Sequence, residues 1–193
     1  MAVDVRLEKR ALRAELRERR RTRTVKERAE STTELTANLE TLAESLGVDY
    51  LAAYLSRPGE PSTREFLSWA CKRGIRVILP ISRDDGLLDW APYDASDETE
   101  DAAGMPAPTT EVLSPMAIND VGLILVPAAT VDRTGMRMGW GHGYFDKTLG
   151  SMEKCPPVYA VIFDDELVDE VPSEVHDKRV DGVVTPGGIV RFS

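Results

Sequence analysis

Residues 50–81 read YLAAYLSRPGEPSTREFLSWACKRGIRVILPI, and this stretch predicts a strand, a helix and a second strand in that order. Tyr50–Leu55 is a short apolar run that ends before a turn, as a strand would. Ser62 and Glu65 form a capping-box signature that opens a helix. Arg76–Ile81 is apolar again. A connection of this length implies parallel strands joined by a right-handed crossover.

The rest of the chain extends this pattern. Residues 5–24 are rich in helix-forming residues and lack Gly and Pro, and leucines recur at helical spacing from Leu35 to Leu46. Val121–Pro127 and Val158–Phe163 are continuous apolar runs, typical of central strands. We therefore predict a three-layer α/β/α fold with a mainly parallel, Rossmann-like sheet and two N-terminal helices packed on it.

Two further segments complete the prediction of one domain over residues 1–193. Residues 84–110 hold eight acidic side chains and no Lys or Arg. This stretch predicts an exposed, mobile loop, with a short strand at Leu87–Tyr93. At the other end of the chain, Val183–Thr185 and Ile189–Phe192 predict a terminal hairpin or sheet edge.

Charge, apolar runs and cysteine content exclude several classes of protein. The 193 residues carry a net charge of −9, although residues 1–30 hold 11 Lys or Arg against 6 acids. An acidic body argues against general nucleic-acid binding, whereas the basic segment suits a phosphorylated ligand, RNA, a lipid surface or a solvated helix face. No apolar run is long enough to span a membrane and no signal peptide is recognisable. Two distant cysteines fit a reducing cytoplasm.

The stretch from Gly135 to Asp146, GMRMGWGHGYFD, is the strongest candidate site. Its four glycines lie between a buried strand and a helix, where backbone N–H groups and a helix N-terminus favour a phosphate. Arg137 can grip phosphate oxygens, and the Asp146 carboxylate suits Mg²⁺. The spacing matches neither a Walker A loop nor a dinucleotide fingerprint. A tight turn with no ligand remains the alternative.

This stretch resembles the signature of the 5-formyltetrahydrofolate cyclo-ligase family, also called 5,10-methenyltetrahydrofolate synthetases. Three other elements resemble the family in the same order along the chain: Lys9-Arg10-Ala11-Leu12-Arg13, Leu55 and Glu60 with Ser62-Thr63, and Glu174-Val175-His176-Asp177 with Val180-Asp181. Departures occur at Trp140 and His142, where many members carry a basic residue, and at Phe145, where tyrosine is usual.

The resemblance implies ATP- and Mg²⁺-dependent conversion of 5-formyltetrahydrofolate to 5,10-methenyltetrahydrofolate, with ADP and phosphate released. It implies ATP contacts from Lys9, Arg10, Arg13, Arg137, Gly139, Gly141, His142, Gly143, Tyr144 and Phe145. It implies folate contacts from Leu55, Glu60, Trp140, Gly141, His142, Gly143 and Tyr144. Asp146 and Asp177 would hold the metal, and Lys9 and Arg137 would be catalytic.

These residue types suit such chemistry. An N-formyl group is an amide, and phosphorylating its oxygen makes the carbon electrophilic and creates a leaving group. Phosphoryl transfer needs positioning, cations and Mg²⁺ rather than a protein nucleophile. We therefore expect a cytoplasmic enzyme, with a monomer preferred, whose partners are a reduced folate and ATP and include neither nucleic acid nor membrane. The alternatives are a related nucleotide-binding protein without turnover and an RNA-associated factor.

Overall fold

The structure is a computed structural model that describes residues 4–193. Its helices are α1 (Val5–Arg21), α2 (Val25–Leu46), α3 (Arg64–Lys72) and α4 (Tyr144–Ser151), with 3₁₀ turns at Pro115–Asp120 and Asp164–Glu166. Its strands are β1 (Tyr50–Ala52), β2 (Arg76–Ser82), β3 (Leu88–Pro92), β4 (Glu98–Glu100), β5 (Pro106–Pro108), β6 (Ile124–Pro127), β7 (Thr130–Asp132), β8 (Arg137–Met138), β9 (Val158–Val161), β10 (Leu167–Val168), β11 (Gly182–Thr185) and β12 (Gly188–Arg191).

A seven-stranded sheet in the order β12-β11-β9-β6-β1-β2-β3 forms the centre of the molecule. The five inner strands run parallel, and the two edge strands, β12 and β3, are antiparallel to their neighbours. The predicted α/β class is therefore confirmed, and the terminal hairpin is the β11–β12 edge. Strands β1 and β6 are shorter than predicted, since pairing on β1 ends at Ala52 and β6 begins at Ile124.

Helices cover both faces of this sheet. On one face, the buried leucines of α2 and the apolar side of α3 pack on the inner strands. On the other face, α4 and the 3₁₀ turn at Pro115–Asp120 contribute Leu149 and Ile118. Helix α2 begins at a capping box between Thr24 and Glu27 and ends at Gly47 in the left-handed conformation. None of the helices described between residues 4 and 193 is long and apolar enough to cross a membrane.

The first helix occupies a different place from the one predicted. Instead of lying on the large sheet, α1 packs through Leu12 and Leu16 on residues around a small sheet of β10, β7 and β8, including Met138 and Val171. The alternation of apolar residues along α1 specifies a buried face but not which sheet that face meets.

The acidic stretch 84–110 contains the predicted short strand, which is β3 (Leu88–Pro92) and pairs with β2. The remainder was predicted as a loop, but it contains the two-stranded hairpin β4–β5. Polar side-chain contacts tie the hairpin to the body. Arg64 pairs with Glu98, and the Asp101 carboxylate accepts the backbone N–H of Ser82 at 2.7 Å.

A buried ion pair fixes α1 in its position. The Arg20 guanidinium donates to both carboxylate oxygens of Glu166, at 2.6 and 2.8 Å, and to the carbonyl of Ala128 at 2.9 Å. Both charged side chains are almost completely buried. Such a pair keeps α1 in place, because moving the helix would leave a buried charge without its counter-charge and without water.

Substitution of Glu166 by Gln is expected to destabilise the protein, because Arg20 would lose its counter-charge inside the fold. Breaking a buried ion pair from one side costs about 3–5 kcal/mol of unfolding free energy. Urea denaturation followed by circular dichroism measures the loss. Glu18→Gln is the matched control: it removes the partner of the exposed Arg21 and should leave the midpoint unchanged. Equal midpoints for Glu166→Gln and wild type would contradict the anchoring role.

Candidate active site

A cleft of about 380 Å³ opens at the carboxyl edge of the parallel sheet. Tyr54, Ser82 and Pro127, which lie at or just beyond the ends of β1, β2 and β6, form its floor. The N-terminal half of α1 and the stretch from Arg137 to Asp146 form its walls. This edge is where open α/β sheets bind ligands, because the strand ends and the helix N-termini meet there.

The glycine-rich stretch follows the cleft wall because three of its glycines adopt a backbone that other residues rarely take. Gly135 has φ +86° in the turn between β7 and β8, and a Cβ there would lie 2.6 Å from the carbonyl oxygen of Val180. Gly141 has φ +109°, and Gly143, with φ +73°, caps the N-terminus of α4. Arg13 on α1 reaches across and donates to the carbonyl of Gly139 at 2.8 Å.

Arg137 is buried at the base of this wall. Its Nη1 donates to the carbonyl of Pro127 at 2.7 Å, and its Nη2 lies 3.3 Å from Oδ2 of Asp146. Its Nε is buried and has no hydrogen-bond partner. An unpartnered buried donor carries a free-energy cost, so an acceptor atom from a ligand would be stabilised there.

Lys9 lies between two carboxylates on the opposite side. Its Nζ donates to Oε2 of Glu174 at 2.9 Å and to Oδ2 of Asp177 at 2.6 Å. Asp177 also accepts the backbone N–H of Glu174 at 2.7 Å. The hydrogen bond from Lys9 lowers the pKa of the Glu174 carboxyl. The Lys9 ammonium thus neutralises part of an acidic cluster within the cleft.

Oxygen ligands for a metal ion are present around Lys9. Glu174, His176 and Asp177 place one ligand atom each within 4.8 Å of one another. Asp146 also lines the cleft, where its Oδ1 accepts the backbone N–H of Lys178 at 3.1 Å. Asp146 and Asp177 were predicted as metal ligands, whereas Glu174 was not. The sequence does indicate Glu174 as a ligand, because it precedes Asp177 by three residues in the acidic element Glu174-Val175-His176-Asp177.

The far end of the cleft contains Glu60 and Tyr54. Glu60 accepts the backbone N–H of Arg57 at 2.7 Å. Burial raises the pKa of the Glu60 carboxyl, against the opposing effect of that hydrogen bond. Burial, followed by the nearby Glu60 charge, also raises the pKa of the Tyr54 phenol well above its ordinary value. Tyr54 was not predicted as a site residue, although its position near the end of β1 was the signal.

Aromatic rings in the glycine-rich stretch line the space between these two ends. The guanidinium carbons of Arg17 and Arg20 lie 5.2 and 4.9 Å from the centre of the Trp140 ring. The ring of His142 stacks on Tyr144 at 5.8 Å, and the Tyr144 hydroxyl donates to the carbonyl of Arg83 at 3.4 Å. The rings are therefore held in place by neighbouring cations and polar groups.

Most of the predicted site residues meet in this cleft. They are Lys9, Arg13, Glu60, Arg137, Gly139, Trp140, Gly141, His142, Gly143, Tyr144, Phe145, Asp146 and Asp177. Two do not line it. Arg10 is exposed on another side of α1, because consecutive helical residues point about 100° apart. Leu55 is buried in the core among residues of α2 and α3, so its side chain is a packing residue.

Comparison with known proteins gives consistent matches. The model of the 5-formyltetrahydrofolate cyclo-ligase family matches residues 5–186. The 5-formyltetrahydrofolate cyclo-ligase of Mycolicibacterium smegmatis is 36% identical over 141 residues, which cover 70% of this chain and 73% of that protein. The Escherichia coli protein of the same name is 27% identical over 180 residues, covering 90% and 98%.

Solved structures show the same fold. The 5,10-methenyltetrahydrofolate synthetase of Aquifex aeolicus superimposes with a TM-score of 0.79 at 24% identity, over 95% of this chain and 92% of that one. A protein from Mycoplasma pneumoniae with the same name gives 0.72 at 18% identity, over 92% and 98%.

Substitution of Glu60 by Gln is expected to stabilise the protein increasingly as the pH rises above about 4.5, the ordinary pKa of a glutamate. With a raised pKa in the folded state, Glu60 contributes stability below that pH and loses it as the pH rises through the raised pKa. Gln keeps an acceptor for Arg57 and carries no charge. Thermal unfolding at pH steps measures the difference between variant and wild type. A difference that does not change with pH would contradict a raised pKa for this half-buried carboxyl.

Proposed function

The chain belongs to the 5-formyltetrahydrofolate cyclo-ligase family, and we propose that its cleft carries out the ATP-dependent conversion of 5-formyltetrahydrofolate to 5,10-methenyltetrahydrofolate. The observation that carries this proposal is the meeting of Lys9, Arg13 and Arg137 with Glu60 in one cleft. One chain supplies all of these groups, which suits a monomer. Cys71 and Cys155 are both free and exposed, which suits a reducing cytoplasm.

The cationic end of the cleft is proposed to bind the triphosphate. Lys9 and Arg13 lie one turn apart on α1, so both face the cleft. Across from them lie Arg137 and the backbone of the glycine-rich stretch at the start of α4. The unpartnered Nε of Arg137 is a donor ready for a phosphate oxygen. Fixed donors aimed at the transferring group stabilise its charge without reorganising during the reaction.

The opposite end is proposed to bind the pterin. One oxygen of the Glu60 carboxylate accepts the Arg57 backbone N–H, and the second is free to accept N–H groups from the amino-pyrimidinone edge. Trp140 and Tyr144 line the space beside Glu60 and would contact the ring system through their apolar edges. With the pterin at Glu60 and the triphosphate at Lys9 and Arg137, the formyl group would face the terminal phosphate of ATP.

The proposed reaction needs two group transfers. The formyl oxygen attacks the γ-phosphorus of ATP, and the bond from that phosphorus to the bridging oxygen breaks to release ADP. The N10 nitrogen of the folate then attacks the activated formyl carbon. Phosphate leaves with the former formyl oxygen, N10 loses its proton, and the five-membered ring is closed with a double bond to N5. The protein positions the reactants and stabilises the phosphoryl charge.

The residues beside Lys9 fit a magnesium ion. Glu174 and Asp177 provide the carboxylate oxygens that Mg²⁺ prefers, and the exposed His176 beside them is a poorer ligand for this ion. Asp146 offers a further carboxylate from elsewhere in the cleft lining. The Glu174 and Asp177 oxygens already hold a cation, the Lys9 ammonium. When bound, Mg²⁺ would neutralise charge on the phosphate oxygens. Lys9 would then exchange its carboxylate partners for phosphate.

Incubation of the protein with 5-formyltetrahydrofolate, ATP and Mg²⁺ is expected to produce the conjugated methenyl product, measured by near-UV absorbance. Substitution of Arg137 by Gln should lower kcat by about 10²–10³-fold with little change in folate affinity, because it removes a charged donor from the transferring phosphate. Arg133→Gln is the control, since Arg133 is exposed in the same hairpin. Nucleotide binding without product would instead indicate a binding protein without turnover.

Substitution of Lys9 by Met is expected to increase the affinity for Mn²⁺, a paramagnetic substitute for Mg²⁺, when no nucleotide is present. Removing the ammonium from between Glu174 and Asp177 should strengthen binding roughly tenfold or more, since like charges about 4 Å apart repel by about 1–4 kcal/mol. Electron paramagnetic resonance measures free Mn²⁺ directly. The exposed Lys26→Met is the control. Equal Mn²⁺ affinity in the wild type and Lys9→Met would show that Lys9 does not compete for the site.

A further inference from the structure

A second groove, of about 530 Å³, adjoins the cleft. The two cavities share Glu60, Met105, Trp140 and His142 as common lining residues. The outer wall of the groove consists of arginines from α1, from α2 and from the turn after β1. A single ligand can therefore extend from the cleft into the groove.

The groove has an excess of positive charge. Two of its five arginines are paired, Arg20 with Glu166 and Arg21 with Glu18. The other three, Arg17, Arg28 and Arg57, have no carboxylate within 4.0 Å among the residues that the structure describes. Glu60 is the one acidic side chain found in the described lining. Three uncompensated cations around one cavity, in a chain of net charge −9, create a local attraction for anions.

The groove also contains hydrogen-bond donors that lack acceptors. Nε of Arg28 and Nε1 of Trp140 are both buried without a partner. Arg28 is held by its Nη2, which donates to the carbonyls of Arg20 and Arg21 at 3.3 and 3.2 Å. The Arg17 guanidinium lies against the Trp140 ring. Guanidinium and indole groups donate and do not accept, so a ligand for this groove must bring acceptors.

We propose that Arg17, Arg28 and Arg57 form a binding site for the carboxylates at the glutamate end of the folate substrate. The inference rests on the proposed function, which places the pterin at Glu60 and the triphosphate at Lys9 and Arg137. The benzoyl-glutamate end of the substrate must then leave the cleft on the side away from the phosphates. The groove begins there, and its guanidiniums pair well with carboxylates because two parallel N–H donors match two oxygens.

A binding cycle tests the inference without turnover. The two ligands are 5-formyltetrahydrofolate and 5-formyltetrahydropteroate, which lacks the glutamate. The two proteins are the wild type and Arg17→Gln/Arg57→Gln, with Arg28 kept because it also holds the turn between α1 and α2. Calorimetry without ATP should show that wild type prefers the glutamate-bearing ligand roughly tenfold or more, and that the variant binds both ligands alike.

The matched control is Arg73→Gln/Arg76→Gln, which also removes two positive charges but from a different part of the surface. Arg76 begins β2, whereas the cleft lies beyond its other end at Ser82, about 20 Å away. This control should keep the wild-type preference for the glutamate-bearing ligand. Equal weakening of that preference in both double variants would attribute it to net charge and overturn the assignment to the groove.

Other outcomes separate the remaining explanations. A variant that keeps the full preference for glutamate would overturn the inference while leaving the proposed function standing. Inorganic tripolyphosphate that binds only when Arg17 and Arg57 are present, without displacing either folate, would assign the groove to a free anion and also overturn it. Binding of neither folate by wild type would contradict the proposed function itself.

Discussion

The position of α1 is the constraint on which the candidate site depends. Lys9, Arg13, Leu16 and Arg20 recur at i, i+4, i+7 and i+11, so they lie along one face of a single helix. Arg20 anchors one end to Glu166 inside the protein, and Leu16 packs on the small sheet. Lys9, about 16 Å away along the helix, is thereby held over the cleft. The buried ion pair therefore lies at one end of α1, and the candidate nucleotide site lies at the other end of the same helix.

The opposite wall is positioned by the backbone rather than by side chains. Strand β8 is only two residues long, yet it places the buried Arg137 against Pro127 at the end of a central strand. The left-handed glycines then turn the chain past Arg13 and into α4. Both walls are tied to the carboxyl edge of the sheet, so contacts within the chain itself define the shape of the cleft. This preorganisation suits phosphoryl transfer, in which positioning does most of the work.

Much of this could be predicted from sequence, and the exceptions have physical causes. The apolar runs and the helix signals give the α/β class, and the glycines mark the stretch that lines the candidate site. The packing of α1 on the small sheet was not predicted, because apolar periodicity identifies the buried face of a helix but not the sheet that covers this face. Arg10 and Leu55 were grouped with their neighbours although helix rotation and core packing point them elsewhere. Tyr54 and Glu174 join the cleft only through tertiary contacts, which local patterns do not encode.

Trp140 shows how charge beside the glycine-rich stretch can be supplied from a distant part of the chain. Many members of the family carry a basic residue at this position of the glycine-rich stretch. Here the ring is flanked by guanidiniums that arrive from α1, 120 or more residues earlier in the chain. Arg20 is neutralised by Glu166, so the uncompensated positive charge beside the ring is that of Arg17. A cation of the first helix, rather than one of the loop itself, therefore faces this part of the cleft.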